Sequence, residues 1–388
     1  MHFYIFNNGL LVEKGMSGSD QRVYQWSQIF KKKRHQVSLI IPKVGVNRFK
    51  KFGFRLIVTT DRVPLHGDFI AYLYQAWKGI IVVWKMGKIP RDIIIYSSSD
   101  LIADSLPTLL LKIRNRKNKM ICGLHLVAPP LFKGFAGVWQ KGFALPTLKE
   151  IYYFVSQRII IFFLKYLADL VLVSNPLDRD FLLRKGFKKN QVLVTFGGID
   201  FSLIPKKKFR VKYEAVWVGR LHAQKGVNDL FGAWEKVTET YPLAKLIIIG
   251  EPDIEEYFRH CQYSKYLQKN IVFAGYLEGK EKFRIIKESK LSLCPSHYES
   301  FGMVIAEALA AKVPVVAYDL PIYKKIYKGG IIIAPIGNIN RYSEQIISLL
   351  KNEDRRKILS EEAFQVGKEF QWEKTAEKIL SSLKESKK

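Results

Sequence analysis

The chain has 388 residues, roughly two to three single domains in length, and its 48% hydrophobic and 25% charged composition excludes a disordered or fibrous protein. The 63 Lys and Arg against 35 Asp and Glu give a net charge of +28, which favours an anionic partner: nucleic acid, acidic lipid or a phosphorylated substrate. Cys122, Cys261 and Cys294 stand far apart, which argues against a disulfide scaffold or structural zinc and fits a reducing compartment.

The N-terminus carries no recognisable targeting signal. The apolar residues Met1–Phe6 lack a preceding basic region and end at Asn7-Asn8. No stretch reaches the roughly 18 apolar residues that a bilayer span needs. The nearest, 159–164, is closed by charges, and we interpret it as a buried helix face while leaving open a face that dips into lipid headgroups. We expect a cytoplasmic protein, at most peripheral on the inner face of the cytoplasmic membrane.

In the first half, short apolar runs alternate with segments of helical period. The predicted strands are 3–6, 36–41, 93–96, 120–124, 170–174 and 192–195, and 21–33 is predicted to be a helix. Strands that are apolar on both faces and alternate with helices indicate a parallel sheet covered by helices. The segment 44–70 fits no single pattern, and we expect a loop or an irregular strand pair there.

The second half repeats this scheme after the polar connector Pro205–Lys208. Its predicted strands are 214–218, 245–249, 271–273, 291–294 and 313–317. The fold class is therefore α/β, with two Rossmann-like domains of similar size, 1–204 and 205–369. Ligands of such sheets bind at the carboxyl ends of the strands, so we expect a central cleft there.

The positive charge is concentrated in the first domain. Residues 1–200 hold 31 Lys and Arg against 12 Asp and Glu. A solvated basic face is one interpretation, and contact with an anionic membrane is another. Nucleic acid is not expected, because the basic clusters lack interleaved aromatic residues that stack bases. The clusters are 31–34, 48–55 and 112–119.

The most informative stretch is 295–310. It predicts a strand end, a loop carrying Glu299, and a helix that begins near Phe301 and carries Glu307 about two turns later. Gly302-Met303 would present free N–H groups at a helix N-terminus, where anions bind. Carboxylates that accept hydrogen bonds from sugar and ribose hydroxyls suit a nucleotide-sugar there. Alternatively Glu299 only caps the helix and Glu307 is a solvated charge, although its apolar neighbours favour burial.

These residues resemble a known family. The spacing Glu299-x7-Glu307, followed by 311–317, is similar to the retaining glycosyltransferases of family four, which have the GT-B fold. The resemblance covers nearly the whole chain. It implies two Rossmann-like domains facing across a central cleft and a C-terminal helix, 370–388, that crosses back to the N-terminal domain, with Trp372 as its anchor. Three more segments agree with the family in order and spacing: 216–226, 168–174 and 197–200.

Arg220 and Lys225 lie five residues apart across a strand-to-helix turn, so both cations can meet one diphosphate. In this family's chemistry the diphosphate is the leaving group, and its growing charge needs stabilisation. The resemblance implies that Glu299 contacts the donor sugar and that Glu307 contacts the ribose. It also implies a donor site that includes the start of the helix, namely Phe301, Gly302, Met303 and Val304.

The resemblance adds residues from the first half. Where the family has a glycine pair near the donor phosphate, this chain has Ser17-Gly18, and Gly18 is assigned to the donor site; a plain turn is the alternative. His125 follows a strand at the place of a family histidine that contacts the donor sugar, although a satisfied core histidine is the alternative. We interpret Asp20 as capping the first helix rather than accepting a proton from the acceptor. The expected catalytic residues are Glu299, His125, Lys225 and Arg220.

We expect no metal and no cofactor. The pair Asp178-x-Asp180 could bind a divalent cation, but it opens a predicted helix, where acidic residues are favoured by the helix dipole. No His, Glu or Asp cluster elsewhere has ligand spacing.

The resemblance implies a retaining, metal-independent hexosyltransferase. It would move a sugar from a nucleotide-diphosphate donor, UDP favoured over GDP, to a hydroxyl of a saccharide or lipid-linked saccharide in cell-envelope glycan synthesis. Its partners would be that donor, that acceptor and an anionic membrane surface. Two alternatives are left open, a nucleotide-sugar epimerase of the same fold and a non-catalytic binder of nucleic acid or lipid.

Overall fold

The computed structural model describes residues 1–9, 15–61, 69–87, 90–132, 145–251 and 253–385. These residues form two compact units. Unit 1 contains the described residues of 1–132 and 145–197 together with 372–385, and unit 2 contains those of 198–371. Each unit is a parallel sheet with helices, so the α/β class with two Rossmann-like domains is confirmed.

Seven parallel strands form the sheet of unit 1, in the order β3-β2-β1-β4-β5-β6-β7. The order reverses between β1 and β4, and in such sheets ligands bind beyond the carboxyl ends of the strands at that point. The strands are β1 (His2–Phe6), β2 (Gln36–Ile41), β3 (Arg55–Val58), β4 (Ile93–Ser97), β5 (Lys119–Leu124), β6 (Leu170–Val173) and β7 (Val192–Val194).

The helices of unit 1 lie on both faces of this sheet. Phe3 of β1 stacks on Phe30 at 4.4 Å on one face, while Tyr4 and Phe6 enter the core on the other. The helices are α1 (Gly18–Lys32), α2 (Val46–Lys50), α3 (Phe69–Lys85), α4 (Ile102–Arg114), α5 (Leu148–Leu167) and α6 (Pro176–Arg184).

The segment predicted as a loop or an irregular strand pair contains one short helix, α2, and one strand, β3. β3 extends the sheet parallel to β2, so the expectation for 44–70 was wrong within its described part. The sequence hid this strand because it is an edge strand of four partly exposed residues that begins with an exposed arginine, Arg55. Apolar alternation is weak in such a strand.

Unit 2 repeats the architecture with six parallel strands in the order β10-β9-β8-β11-β12-β13. Its order reverses between β8 and β11. The strands are β8 (Tyr213–Val218), β9 (Leu246–Ile249), β10 (Ile271–Gly275), β11 (Ser289–Cys294), β12 (Val315–Tyr318) and β13 (Ile331–Ala334).

The described residues of unit 2 form eight helices, numbered α7 to α14 in chain order. Bulky side chains such as Trp217, Phe231, Trp234 and Tyr342 fill the core between these helices and the sheet. The helices are α7 (Val227–Thr240), α8 (Asp253–His260), α9 (Ser264–Leu267), α10 (Gly279–Lys287), α11 (Met303–Ala310), α12 (Pro321–Ile326), α13 (Ile339–Lys351) and α14 (Glu353–Gly367).

The last helix, α15 (Trp372–Glu385), returns to unit 1. Trp372 packs edge-on against Trp26 of α1 at 6.2 Å between ring centroids, and the Trp26 indole N–H donates to the Thr375 hydroxyl at 2.9 Å. Both tryptophans are buried, so the expected return of the C-terminal helix to the N-terminal half is confirmed.

The helices of the described residues are shorter or more polar than a membrane span requires; none of them meets both criteria of length and apolar character.

Candidate functional site

In unit 2 the predicted donor residues come from two loops that are bonded to each other. After β8 the chain makes a 3-10 turn, Ala223–Lys225, and passes through Gly226 at φ +65°. A Cβ at Gly226 would collide with the carbonyl oxygen of Pro295, so the close approach of the two loops requires glycine. The His297 N–H donates to the Gln224 carbonyl at 2.7 Å, which fixes the register of the loops.

The structure joins Lys225 and Glu299 directly. Their Nζ and Oε1 atoms lie 2.5 Å apart, and both side chains are largely buried. An ammonium held this close neutralises the carboxylate and orients it, while its two other N–H bonds stay free to bind an anion. The sequence placed both residues in one site but gave no sign that they pair with each other.

Arg220 lies on the same side of unit 2, just past the end of β8. Its side chain is exposed, and it forms no ion pair within the described ranges. The guanidinium is therefore accessible to a ligand.

The helix predicted near Phe301 begins at Met303, after Gly302 at φ +84°. Helix geometry leaves the first N–H groups of α11, those of Met303 and Val304, without intrahelical acceptors. The ring of Phe301 is buried against Tyr327 and Phe370, so a donor could reach only the backbone of this residue. The polar groups at this helix start are thus main-chain donors.

Glu307, the fifth residue of α11, is not a solvated charge. Its Oε1 lies 2.6 Å from Nζ of Lys282 in α10, and the two side chains are 8% and 14% exposed. Sequence reasoning missed Lys282. It stands 25 positions before Glu307, in a helix with five charged residues among nine, and only its contact with Glu307 in the folded chain singles it out.

A network of hydrogen bonds connects the loop that carries Glu299 to α7. The imidazole of His297 lies 3.0 Å from a carboxylate oxygen of Asp229, and the hydroxyl of Tyr318 donates to the same oxygen at 2.6 Å. Burial, together with this carboxylate, raises the pKa of Tyr318, so its phenol stays a donor. Asp229 belongs to the first turn of α7, and the network therefore ties the loop to that helix.

In unit 1, Gly18 and His125 lie near one buried arginine. Arg22 donates to the Gly18 carbonyl at 3.0 Å and to the Ser174 hydroxyl at 3.0 Å, and the same hydroxyl lies 3.4 Å from Nδ1 of His125. Burial and the neighbouring Arg22 cation hold the pKa of His125 well below its usual value. The imidazole is therefore neutral and can act as a hydrogen-bonding group.

The position of the His125 ring depends on a glycine. A Cβ at Gly123 would collide with Nε2 of His125 and with the carbonyl oxygen of Ser98. A side chain at this point of β5 would displace the histidine.

Asp20 takes part in the N-terminal cap of α1, as expected. Ser17 caps α1, with its hydroxyl accepting from the Asp20 N–H at 3.2 Å, while the Asp20 carboxylate accepts from the Ser17 N–H at 3.0 Å. Asp20 is fully buried, and burial raises its pKa.

Sequence reasoning also missed a set of buried carboxyls beyond the ends of β4 and β6. Asp104 accepts from two backbone N–H groups, those of Asn8 at 2.5 Å and Gly9 at 3.1 Å, and from two serine hydroxyls. Asp100 accepts from the Gln157 amide at 2.7 Å. Burial raises the pKa of both groups to about 6. The serine run 97–99 was the available signal, since it ends a buried strand with polar residues.

Asp178 lies in the first turn of α6, whose cap is Asn175, in line with the helix-terminus interpretation. Burial, and to a lesser degree the charge of Asp100, raises the pKa of Asp178 to about 7. In the part of the chain that the structure describes, His, Cys, Asp and Glu form no group of three or more that could hold a metal ion.

Residues 202–366 match the family model described as glycosyl transferases group 1. This segment forms most of unit 2. The second unit thus carries the similarity to the group 1 glycosyl transferases. This unit contains Arg220, Lys225, Glu299 and Glu307, whereas Gly18 and His125 lie outside the matched residues.

Relatives in sequence match part of the chain. A poly(glycerol-phosphate) alpha-glucosyltransferase from Bacillus subtilis is 31% identical over 164 residues, which are 41% of this chain and 24% of that protein. A glycogen synthase from Mycobacterium tuberculosis is 30% identical over 133 residues, 34% of this chain and 32% of that protein. The chain thus spans about a quarter to a third of the length of these relatives.

Solved structures match the whole fold of the chain. Sucrose-phosphate synthase from Thermosynechococcus elongatus has a TM-score of 0.75 at 16% identity, with 99% of this chain and 98% of that chain covered. HepE of Anabaena, in complex with UDP-glucose, has a TM-score of 0.75 at 15% identity, with coverage of 99% and 100%. The GT-B fold and the resemblance to glycosyltransferases drawn from the sequence are confirmed.

Proposed function

We propose that the protein is a retaining glycosyltransferase that moves a sugar from a nucleotide-diphosphate donor to a hydroxyl of a saccharide or lipid-linked saccharide. The observation that carries this proposal is the Lys225–Glu299 pair at 2.5 Å beside the open N-terminus of α11. A cation, a carboxylate and free N–H groups are the complement of a sugar diphosphate.

In the proposed reaction, the leaving diphosphate gains negative charge as the bond from the sugar C1 to the phosphate oxygen breaks. Lys225, Arg220 and the N–H groups of Met303 and Val304 supply the compensating positive charge. Glu299 orients the donor sugar, and Glu307 accepts hydrogen bonds from the ribose. These groups supply the stabilisation without a metal ion, so we propose that turnover persists with a chelator present.

We propose the retaining route because the sequence motifs of the first half assign no carboxylate as acceptor base. Asp20 is engaged in the cap of α1, and the buried Asp100 and Asp104 are held by hydrogen bonds. The acceptor oxygen would form its bond to C1 on the face that the diphosphate leaves, and the departing phosphate oxygen would take the acceptor proton. His125 is neutral because its pKa lies well below the usual value. It would form a hydrogen bond with the donor sugar and would not take the proton of the acceptor hydroxyl.

The donor and acceptor classes are proposed from the relatives and from the charge of the first half. HepE binds UDP-glucose, and the Bacillus relative is named for glucosyl transfer to poly(glycerol-phosphate), so we propose a UDP-sugar first, a GDP-sugar next, and an acceptor of the cell envelope. The excess of basic residues in 1–200 supports an acceptor presented at an anionic membrane.

Calorimetric titration with UDP, GDP and ADP, without added metal, tests the donor site. We expect one nucleotide to bind at micromolar strength and the Glu307→Ala variant to lose that binding. Exposed Glu361, which pairs with Lys312 at the surface, provides the matched control Glu361→Ala.

Incubation of the donor alone and with acceptor then separates the reactions. A transferred sugar of unchanged anomeric configuration supports the proposal. An epimerised donor without acceptor would favour an epimerase, and no binding of any nucleotide together with a salt-sensitive shift of duplex DNA would favour a non-catalytic binder.

A further inference from the structure

The outward face of α5 is apolar, which is unusual for a helix at a protein surface. Val155, Ile159, Phe162, Phe163 and Tyr166 recur at helical spacing and are all exposed, Phe162 to 59%. The inward face of the same helix, with Ile160, Ile161 and Leu164, is buried in the core. The stretch 159–164 thus fits both interpretations offered from the sequence. One side of the helix is a buried face, and the other is exposed and could enter lipid headgroups.

Helix α3 has the same property. Leu73, Trp77 and Trp84 recur at positions i, i+4 and i+11 and are exposed, Trp84 to 64%. α3 and α5 cover the same core of unit 1 on one face of its sheet. The rings of Tyr72 and Tyr152 stack across the two helices at 6.5 Å. We call these exposed residues of α3 and α5 together the outer apolar face.

The outer apolar face is bordered by positive charge. α3 and α5 contain five basic residues and one acidic residue, Glu150, which is engaged in the cap of α5. Several cations lie over its aromatic rings. Lys78 is 5.3 Å from the ring of Trp77, and Arg114 at the end of α4 is 5.6 Å from that of Trp84. Aromatic rings with cations beside them are typical of surfaces at the water–lipid interface.

Two of the three basic clusters of the sequence, 31–34 and 48–55, lie away from the outer apolar face. The cluster 31–34 begins in the last turn of α1, and 48–55 runs from α2 to the start of β3. α1 packs on the face of the sheet where Phe3 meets Phe30, opposite the core under α3 and α5. Of the three clusters, 112–119 alone reaches the outer apolar face, through Arg114 at the end of α4. Lys112 is buried against Asp169, and Lys119 donates to the Leu383 carbonyl. The basic clusters therefore cannot be interpreted as a single surface.

We propose that the outer apolar face is the surface through which unit 1 docks on an anionic lipid bilayer. Its apolar side chains would enter the boundary between headgroups and acyl chains, and its cations would contact acidic headgroups. A second copy of the chain is the poorer occupant, because it would bring two faces of the same positive charge together. The inference deepens the proposed function by naming the surface that brings a lipid-linked acceptor within reach, but it does not require turnover for its test.

Flotation with vesicles of phosphatidylcholine alone and with phosphatidylglycerol added tests the proposal on the full chain. We expect binding to the anionic vesicles, and at least about 10-fold weaker partitioning for the triple variant Ile159→Ser, Phe162→Ser, Trp84→Ser. The matched control is Leu243→Ser, Tyr266→Ser, Ile358→Ser, three exposed apolar residues of unit 2, which should partition as the unaltered protein does.

Two double charge-reversal variants locate the electrostatic contribution to vesicle binding. Lys85→Glu with Lys149→Glu, beside the outer apolar face, should weaken partitioning more than Lys32→Glu with Lys50→Glu, which makes the same charge change on the α1 and α2 side. Equal losses in the two pairs, or unchanged partitioning of the apolar triple variant, would overturn the proposal. So would absence of vesicle binding, or a dimer in sedimentation velocity that the triple variant abolishes.

Nucleotide titration of the triple variant separates this inference from the proposed function. Nucleotide binding that persists while vesicle binding is lost supports the docking surface. Failure of vesicle binding in the unaltered protein with intact nucleotide binding would overturn the docking surface and leave the donor site standing.

Discussion

The two units present the same structural position, the carboxyl ends of a parallel sheet, with opposite electrostatics. In unit 2 this position holds charged pairs that are partly accessible, Lys225–Glu299 and Lys282–Glu307. In unit 1 it holds buried carboxyls with raised pKa values and a histidine with a lowered one. Unit 2 pairs its buried carboxylates with ammonium groups, whereas burial in unit 1 favours the neutral forms.

The difference follows from how the charges are compensated. Glu299 and Glu307 of unit 2 each lie within 2.6 Å of an ammonium group, whose charge offsets the cost of burying the carboxylate. Asp100 and Asp104 of unit 1 accept hydrogen bonds but form no ion pair among the described residues, and the cost of their desolvation therefore dominates. A site that meets a diphosphate benefits from fixed cations, while a site of neutral hydrogen-bonding groups suits sugar hydroxyls.

The largest effect is expected on turnover, from replacement of Lys225 in the paired site of unit 2. Its replacement by alanine removes a cation from the proposed leaving group and should lower turnover by about 100-fold or more, with a small change in donor affinity. Steady-state kinetics measure both quantities. Lys351→Ala, at the end of α13, is the control and should behave like the unaltered enzyme. An unchanged kcat would place Lys225 outside the reaction.

The Lys282–Glu307 pair tests whether unit 2 depends on charge compensation. Lys282→Met leaves a buried carboxylate without its cation and should lower the free energy of unfolding by about 3 kcal/mol. The double variant Lys282→Met, Glu307→Gln should recover most of that loss, because no charge is then stranded. Urea unfolding followed by circular dichroism measures both.

The control for that pair is Lys312→Met, which breaks the exposed contact with Glu361 and should cost less than about 1 kcal/mol. If the single and double variants of the Lys282–Glu307 pair were equally unstable, loss of packing rather than loss of compensation would explain the effect.

The smallest effect concerns Asp178 in unit 1. Its pKa is about 7 in the folded protein against 3.8 in a model compound, so the folded state binds the proton more tightly. Its contribution to stability is therefore complete below about pH 4 and is lost as the pH rises towards 7. Asp178→Asn should remove this loss, so that the variant loses less stability than the unaltered protein between pH 5 and pH 8.

Urea unfolding at the two pH values measures that difference. Asp180→Asn, two residues along the same helix, is the control and should keep the unaltered pH dependence. Identical pH dependence in Asp178→Asn and in the unaltered protein would show that Asp178 is ionised in the fold, and the contrast between the two units would then be weaker.

The sequence by itself determined the β/α alternation and the donor loop of unit 2. Apolar periodicity extends over whole elements, and the motif from Glu299 to Glu307 needs only a strand, a loop and a helix that adjoin in the chain. Local sequence missed β3, whose four residues lie at a sheet edge with little apolar alternation.

Tertiary structure alone decided which distant residues share a site. Lys282 reaches Glu307 because α10 and α11 both pack against β11, and Arg22 reaches Ser174 over 152 positions because β1 and β6 belong to one sheet. It also decided which side of α5 is exposed, since a helix that is apolar on both sides does not reveal from its periodicity which one meets the core. These are long-range properties: they depend on distances between elements that the sequence does not encode locally.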